Sequence, residues 1–269
     1  MKIATLGPEG TFSHEAVLKY DNKAEIIFTN TLRDVFEAVS KNKADSGIVP
    51  VENSIAGTVG QTLDYLIEFG VKIKSEEILP ISQNLVGFGK IDNIKVLYLH
   101  PQTYEQCELF IKKNIPRAEI IQTSSNGKSA EIIANSKDKI KGSIIPKIAV
   151  GIYRLKILKK NVQDNKFNVT RFFVIGKDDG SKTAHDKTSI ALNPQVDRAG
   201  LLYEILGEFA KRNINLTKIE SRPLKGKLGE YTFYIDFEGH RTEKHVAEAL
   251  KKLEEIAFVM VLGSYPRKY

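Results

Sequence analysis

The chain has a single cysteine, Cys107, among its 269 residues, so no disulfide can form within it. That scarcity fits a reducing compartment. Long apolar runs are missing too. The opening stretch MKIATL meets Gly7 and Pro8 after about four apolar residues, short of the roughly 7–15 that a secretory core needs. No run approaches the roughly 18–20 residues of a membrane span. A cytoplasmic protein with no targeting segment and no membrane contact is therefore expected. Histidine and cysteine never fall at metal-ligand spacings, and neither a dinucleotide fingerprint nor a P-loop is present, so no metal and no cofactor is expected. Basic runs interleaved with aromatics are also lacking. The lysines are scattered, with Lys159–Lys160 and Lys251–Lys252 the tightest groups, so the net charge of +7 is read as suiting an anionic small substrate rather than nucleic acid.

What is present is ordinary globular composition, 42% hydrophobic and 27% charged, with length enough for two domains. KIATL at 2–6 reads as a buried strand, IIFT at 26–29 as a second and DSGIVPVE at 45–52 as a third. The helices between them begin at polar loops. Thr11 or Ser13 suits an N-cap, and Thr31 with Asp34 and Thr58 with Gln61 have capping-box spacing. Strands alternating with helices predict a parallel sheet. Ligands bind at the carboxyl ends of such strands, where the helix N-termini in loops 7–13, 52–58 and 100–104 favour an anion.

A second α/β set follows: strands at 81–89, 94–100, 118–123 and 142–147, with helices over 100–113 and 130–136. Segments near 78–86 and 160–170 cross between the two sets, which predicts two lobes enclosing a cleft. The strand KFNVTRFFVIG at 166–176 then poses a problem, because Thr170 and Arg171 sit inside an otherwise apolar run. A buried arginine is costly unless paired or facing a wet cleft. The polar stretch 177–187 reads as a linker. After it come strand, helix, two strands, helix and strand, ending with AFVMVLGSYP at 257–266, a ferredoxin-like βαββαβ pattern.

Six blocks together resemble the monofunctional prephenate dehydratases: GPEGTFSHEA at 7–16, VPVENSIAGTV at 49–59, HPQTYEQC at 100–107, NVTRFFVIG at 168–176, INLTKIESRP at 214–223 and LGSYP at 262–266. The resemblance implies a bilobal catalytic domain, similar to type II periplasmic binding proteins, over 1–178. Its lobes are roughly 1–78 with 162–178, and 79–161. An ACT regulatory domain is implied over 187–269. The implied reaction is decarboxylation and dehydration of prephenate to phenylpyruvate, and a single catalytic activity is expected. Two departures from the family pattern stand out: Leu99 where a serine usually precedes the His-Pro block, and Ser125-Asn126-Gly127 where a Ser-Thr-Ala run is usual.

That chemistry must hold a dianion and help a hydroxyl leave. The departing carboxylate is better left in apolar surroundings than gripped by an ion pair. The family's TRF motif, regarded as catalytic, maps onto Thr170, Arg171 and Phe172. Thr170 suits a hydrogen bond to the leaving hydroxyl, and Arg171 a substrate carboxylate. Neighbours on a regular strand face opposite ways. Both therefore serve the site only if the strand ends or bulges there; otherwise Arg171 forms a structural ion pair beneath it. Glu52, buried with a raised pKa, is a candidate acid, or with Asn53 merely ties down its loop. Thr11, Ser13, Ser54, His100, Gln106 and Lys147 are the candidate substrate-binding residues, and Cys107 is read as a small helix residue.

The resemblance places a phenylalanine site at Gly200, Leu201 and Leu202 and at Glu220, Ser221, Arg222 and Pro223. It implies feedback inhibition and a homodimer paired through ACT domains, or a homotetramer. Arogenate dehydration, or a non-catalytic amino-acid sensor on the same fold, are the alternatives.

Overall fold

The computed structural model describes residues 1–196, 198–223 and 231–269. The elements in chain order are β1 (Lys2–Leu6), α1 (Phe12–Tyr20), β2 (Glu25–Thr29), α2 (Leu32–Ser40), β3 (Ser46–Asn53), β4 (Gly57–Thr58), α3 (Gly60–Phe69) and β5 (Lys72–Pro80). They continue with β6 (Gln83–Gly87), β7 (Val96–Leu99), α4 (Pro101–Gln106), α5 (Glu108–Asn114), β8 (Glu119–Gln122), α6 (Asn126–Ser136), β9 (Lys141–Pro146), α7 (Lys147–Ile152), β10 (Ile157–Lys159) and β11 (Val169–Gly176). Last come β12 (Asp186–Pro194), α8 (Leu201–Ala210), β13 (Leu216–Pro223), β14 (Tyr231–Glu238), α9 (Lys244–Glu254) and β15 (Ala257–Pro266). Residues 229 and 230 of the expected strand before Tyr231 lie outside the described residues.

The chain gathers into two compact units: Met1–Val35, Ile48–Val59 and Ile78–Phe172 in one, and Phe36–Gly47, Gly60–Glu77 and Phe173–Tyr269 in the other. Strands β1 to β11 form two sheets. One has the order β2-β1-β3-β11-β5, with β1 and β2 parallel; the other runs β10-β6-β9-β7-β8. The expected pair of α/β lobes is present. Local rules explain the starts of α1 and α2. Thr31 and Asp34 form a reciprocal capping box, each N–H donating to the other's side chain at 3.1 Å. Thr11 caps α1 by accepting from the His14 N–H.

Two helices depart from the pattern read above. The segment from 101 to 114 is two helices, because a distant carboxylate intervenes. Asp164 accepts from the Leu109 and Phe110 N–H groups at 2.9 and 3.1 Å, and its own N–H donates to the Gln106 carbonyl. Cys107 sits at that junction, fully buried in an aliphatic cluster with Leu97, Leu99 and Ile111. Burial pushes its thiol well up, which suits packing rather than reactivity. The second departure is α6. It begins at Asn126 rather than 130, because Ser125 accepts from the Lys128 N–H and winds the expected polar turn into a first helical turn.

In the second unit, β12 to β15 with α8 and α9 form the ferredoxin-like βαββαβ arrangement, with strand order β13-β14-β12-β15 and antiparallel pairing throughout. Its core buries Leu201, Ile205, Phe209, Phe237, Val246 and Leu253. The expected linker is pinned rather than loose. The Gly180 N–H donates to the Ser264 carbonyl, and Asp179 pairs with Arg241 at 2.6 Å.

Candidate active site

A cavity of about 240 Å³ opens within the first unit, and its walls come from both lobes. Thr11, Phe12 and Ser13 line it from the start of α1, and Ser124, Ser125 and Asn126 from the start of α6. The Thr11 and Ser125 side chains satisfy one N–H each, leaving other first-turn N–H groups without an intrahelical acceptor. Two positive helix ends therefore border one space. The loop before α1 and the start of α6 approach closely: a Cβ on Gly127 would stand 2.3 Å from the Glu9 carbonyl oxygen.

Among the described residues that line this cavity, none is an Asp, Glu, Lys or Arg. Its polar surface is hydroxyl, carboxamide and one imidazole. Burial holds His100 below the ordinary histidine range, the charge of Glu105 offsetting part of that effect, which favours the uncharged ring. The apolar wall comes from Leu6, Pro50, Val59, Ile81 and Phe172.

Thr170 and Asn53 meet in this cavity. Asn53 Nδ2 donates to Thr170 Oγ1 at 2.9 Å and to Asn168 Oδ1 at 2.7 Å. Asn53 Oδ1 accepts from the Ile55 and Ala56 N–H groups, so the carboxamide cannot turn without losing that turn. Because Thr170 Oγ1 is an acceptor towards Asn53, its own O–H is left to donate elsewhere. Replacing Asn53 by Asp keeps the turn acceptor and removes the donor to Thr170. The amide of Asn168, whose Nδ2 has no partner, can turn to meet the new carboxylate. N53D is expected to keep the wild-type circular dichroism spectrum and to lose turnover of about 10²-fold; near-wild-type turnover would remove Asn53 from the machinery.

The strand β11 stays regular, so Thr170 and Phe172 line the cavity and Arg171 does not. Arg171 is 4% exposed and lies 3.7 Å from Glu52. It is the ion pair beneath the site, and its proposed contact with substrate is not supported by this placement. Glu52 is likewise not the buried acid anticipated: it is over a third exposed, faces Arg171 and does not line the cavity. Ser54 is exposed and is used locally, accepting from the Val169 N–H at 3.0 Å. Lys147 is exposed at the first residue of α7, outside the cavity. Of the anticipated substrate-binding residues, Thr11, Ser13, His100 and Gln106 are brought together.

Reading the sequence alone missed Gln83, Gln102, Thr103 and the residues at 124–126. The cap signal at Ser125 was there to be found; Gln83 carried no local signal, since it sits in an unremarkable strand. In the second unit, Leu201 is buried in the core, whereas Gly200 and Leu202 are at the surface. Gly200 has φ +83° and starts α8, a conformation that favours glycine. Arg222 lies 3.4 Å from Asp64 and 3.7 Å from Glu220. The small cavity that Arg222 and Pro223 line does not include residues 200–202.

The family model described as prephenate dehydratase matches residues 3–180, and that of the ACT domain matches residues 195–255. The chain belongs to the prephenate dehydratase family. The prephenate dehydratase of Methanocaldococcus jannaschii is 43% identical over 267 residues, 96% of each chain. The bifunctional chorismate mutase/prephenate dehydratase of Aquifex aeolicus is 43% identical over 270 residues, covering 99% of this chain and 74% of that one. A crystal structure of prephenate dehydratase from Arthrobacter aurescens in complex with L-Phe is 33% identical and superposes with a TM-score of 0.90 over 99% of this chain and 90% of that one. No helix among the described residues is long and apolar enough to cross a membrane.

Proposed function

We infer that this member of the prephenate dehydratase family is a carbon-oxygen lyase converting prephenate to phenylpyruvate. The observation that carries the reading is Thr170, whose oxygen is held by Asn53 so that its hydrogen is free to donate in a cavity without charged walls. The substrate's pyruvyl carboxylate, which stays with the product, suits the N-termini of α1 and α6, which attract an anion without a discrete cation. As the ring carboxylate leaves as CO2, the electron pair of its C–C bond enters the ring. The C–O bond at the far carbon breaks, with its pair leaving on oxygen. The Thr170 O–H donates a hydrogen bond to that developing hydroxide, which takes its proton from solvent and departs as water. The apolar wall suits a carboxylate whose charge is being dispersed. Ser13, His100 and Gln106 are assigned to holding the substrate, and Arg171 and Glu52 to supporting the strands beneath.

The catalytic domain is proposed at 1–178 and the ACT domain at 187–269; family matches over 3–180 and 195–255 support a division of that kind. The relative from Arthrobacter aurescens binds L-Phe, and the ESRP block at Glu220–Pro223 is intact here, so phenylalanine is proposed as the inhibitor. A cytoplasmic homodimer through the ACT domains is proposed. Sheet edges at β13 and β15 and the exposed Tyr203, Phe258 and Met260 support that pairing. The purified protein is expected to form phenylpyruvate from prephenate well above the spontaneous rate, more slowly with phenylalanine, and to elute as a dimer or larger. Turnover that phenylalanine does not alter, with no heat of binding in calorimetry, would leave the enzyme standing and remove the effector.

A further inference from the structure

One buried titratable side chain beside the cavity has no part in the chemistry above. His14 is 8% exposed, the third residue of α1, and its Nδ1 accepts the Gly10 N–H at 3.2 Å. In that role the neutral ring carries its proton on Nε2. Burial holds the ring below the ordinary histidine range, the charge of Glu9 offsetting part of that effect, so the form that can accept is favoured. The ring also meets Phe28 of β2 in a T-shaped contact, centroids 5.0 Å apart. The His14 N–H donates in turn to Thr11, the N-cap. This follows the logic of a capping box, in which the third helical residue reaches back to an N–H ahead of the helix. The usual residue there is Glu or Gln. Here it is an imidazole, and the N–H it reaches lies one residue before the cap. Gly10 is itself buried, with Ala149 and Tyr153 close against it. Without His14 its N–H would be a buried donor lacking an acceptor.

We propose that His14 is a positioning residue for substrate binding, an uncharged acceptor that fixes the loop carrying Thr11 and Ser13 without adding a negative charge at the start of α1. This rests on the dehydratase reading above, in which that helix end receives the substrate's pyruvyl carboxylate. A capping carboxylate at the same place would satisfy Gly10 as well, yet it would repel the incoming anion. An imidazolium would attract the anion but has no lone pair for the Gly10 N–H. The neutral ring meets both needs. The carboxylates already nearby do not face the anion. Glu9 is exposed, Glu15 feels the charge of Lys147, and neither lines the cavity.

Three variants of the full-length protein separate acceptor, charge and packing. His14→Asn puts an amide oxygen where Nδ1 stands, and His14→Asp puts a charged oxygen there. His14→Phe keeps a ring against Phe28 but offers no acceptor, so Gly10 must turn elsewhere and take Thr11 and Ser13 with it. H14N is expected to hold KM for prephenate within a few-fold of wild type. H14F and H14D should each raise KM about 10-fold, the scale of one net hydrogen bond or one nearby charge. In all three kcat should stay within a few-fold, since Thr170 and Asn53 are untouched. H14F with the wild-type KM overturns the assignment. So does H14N as impaired as H14F, which would make ring packing the contribution. H14D matching H14N overturns the need for an uncharged acceptor. Nitrogen NMR of protein labelled at its five histidines gives a readout apart from turnover. The signals lost in H14N should show a bare Nδ1 and a protonated Nε2 at neutral pH, and a protonated Nδ1 overturns the accepting role. Wild type that shows this tautomer yet leaves prephenate unchanged overturns the dehydratase reading and the substrate role with it, and makes His14 a helix cap alone.

Discussion

Thr170→Ala is expected to lower kcat by about 10²–10³-fold while leaving KM within a few-fold, the loss typical of removing one preorganised donor to a developing oxyanion. The direction of the Thr170 hydroxyl is the reason. Asn53 occupies its oxygen as a donor, so the O–H hydrogen has one role left, and that role matters as charge builds on the leaving oxygen. Ground-state binding rests elsewhere, on the helix ends and the hydroxyls around them, so KM should move little. Thr170→Ser keeps the donor and loses only a methyl group, and should retain most of the rate. Steady-state kinetics on the three proteins decides the matter. T170A with undiminished kcat would sink the assignment, and T170A with raised KM and unchanged kcat would make Thr170 a binding group instead.

Breaking the buried pair of Lys187 and Glu76 should have the largest effect on stability. Both side chains are fully buried, 3.3 Å apart, within the second unit. The Lys187 ammonium also stands 3.4 Å from the centre of the Tyr269 ring, and Glu76 accepts the Lys268 N–H at 3.0 Å. The C-terminal residues thus cover the pair. Removing one partner strands the other charge away from water, at a cost of about 3–5 kcal/mol. At roughly 2–4 °C per kcal/mol for a chain of this size, Glu76→Leu should lower the thermal midpoint by about 10 °C. The double change Glu76→Leu with Lys187→Met removes both charges and should recover much of that loss, because an apolar pair of similar volume needs no solvation. Differential scanning calorimetry of the two single variants and the double measures the coupling. Additive losses would mean that packing, not charge, is what these residues contribute.

Much of the architecture was legible because its signals are local. Alternation of strands and helices, the Thr31–Asp34 box and the βαββαβ order all follow from residues within a few positions of one another. The split of the helix at Cys107 was not legible, since the carboxylate that causes it comes from Asp164. The two faces of β11 show the limit most clearly. Strand parity alone said that Thr170 and Arg171 face opposite ways, but not which of them faces the ligand. Here the determinant is which side of the sheet the second lobe covers. The partnership of Arg171 with Glu52 follows from strand pairing, not from any spacing along the chain.

By itself, then, the sequence determined the class of fold, the family, and the loops and the threonine that line the cavity, since each is written in short motifs whose order is preserved. Only the tertiary structure decided that the walls of the cavity hold no charged side chain, that α6 joins α1 in offering a helix end, and that Glu52 and Arg171 lie beneath the site. These are consequences of which surfaces meet when segments distant in the chain pack together, and hydrogen-bond satisfaction is settled at that meeting.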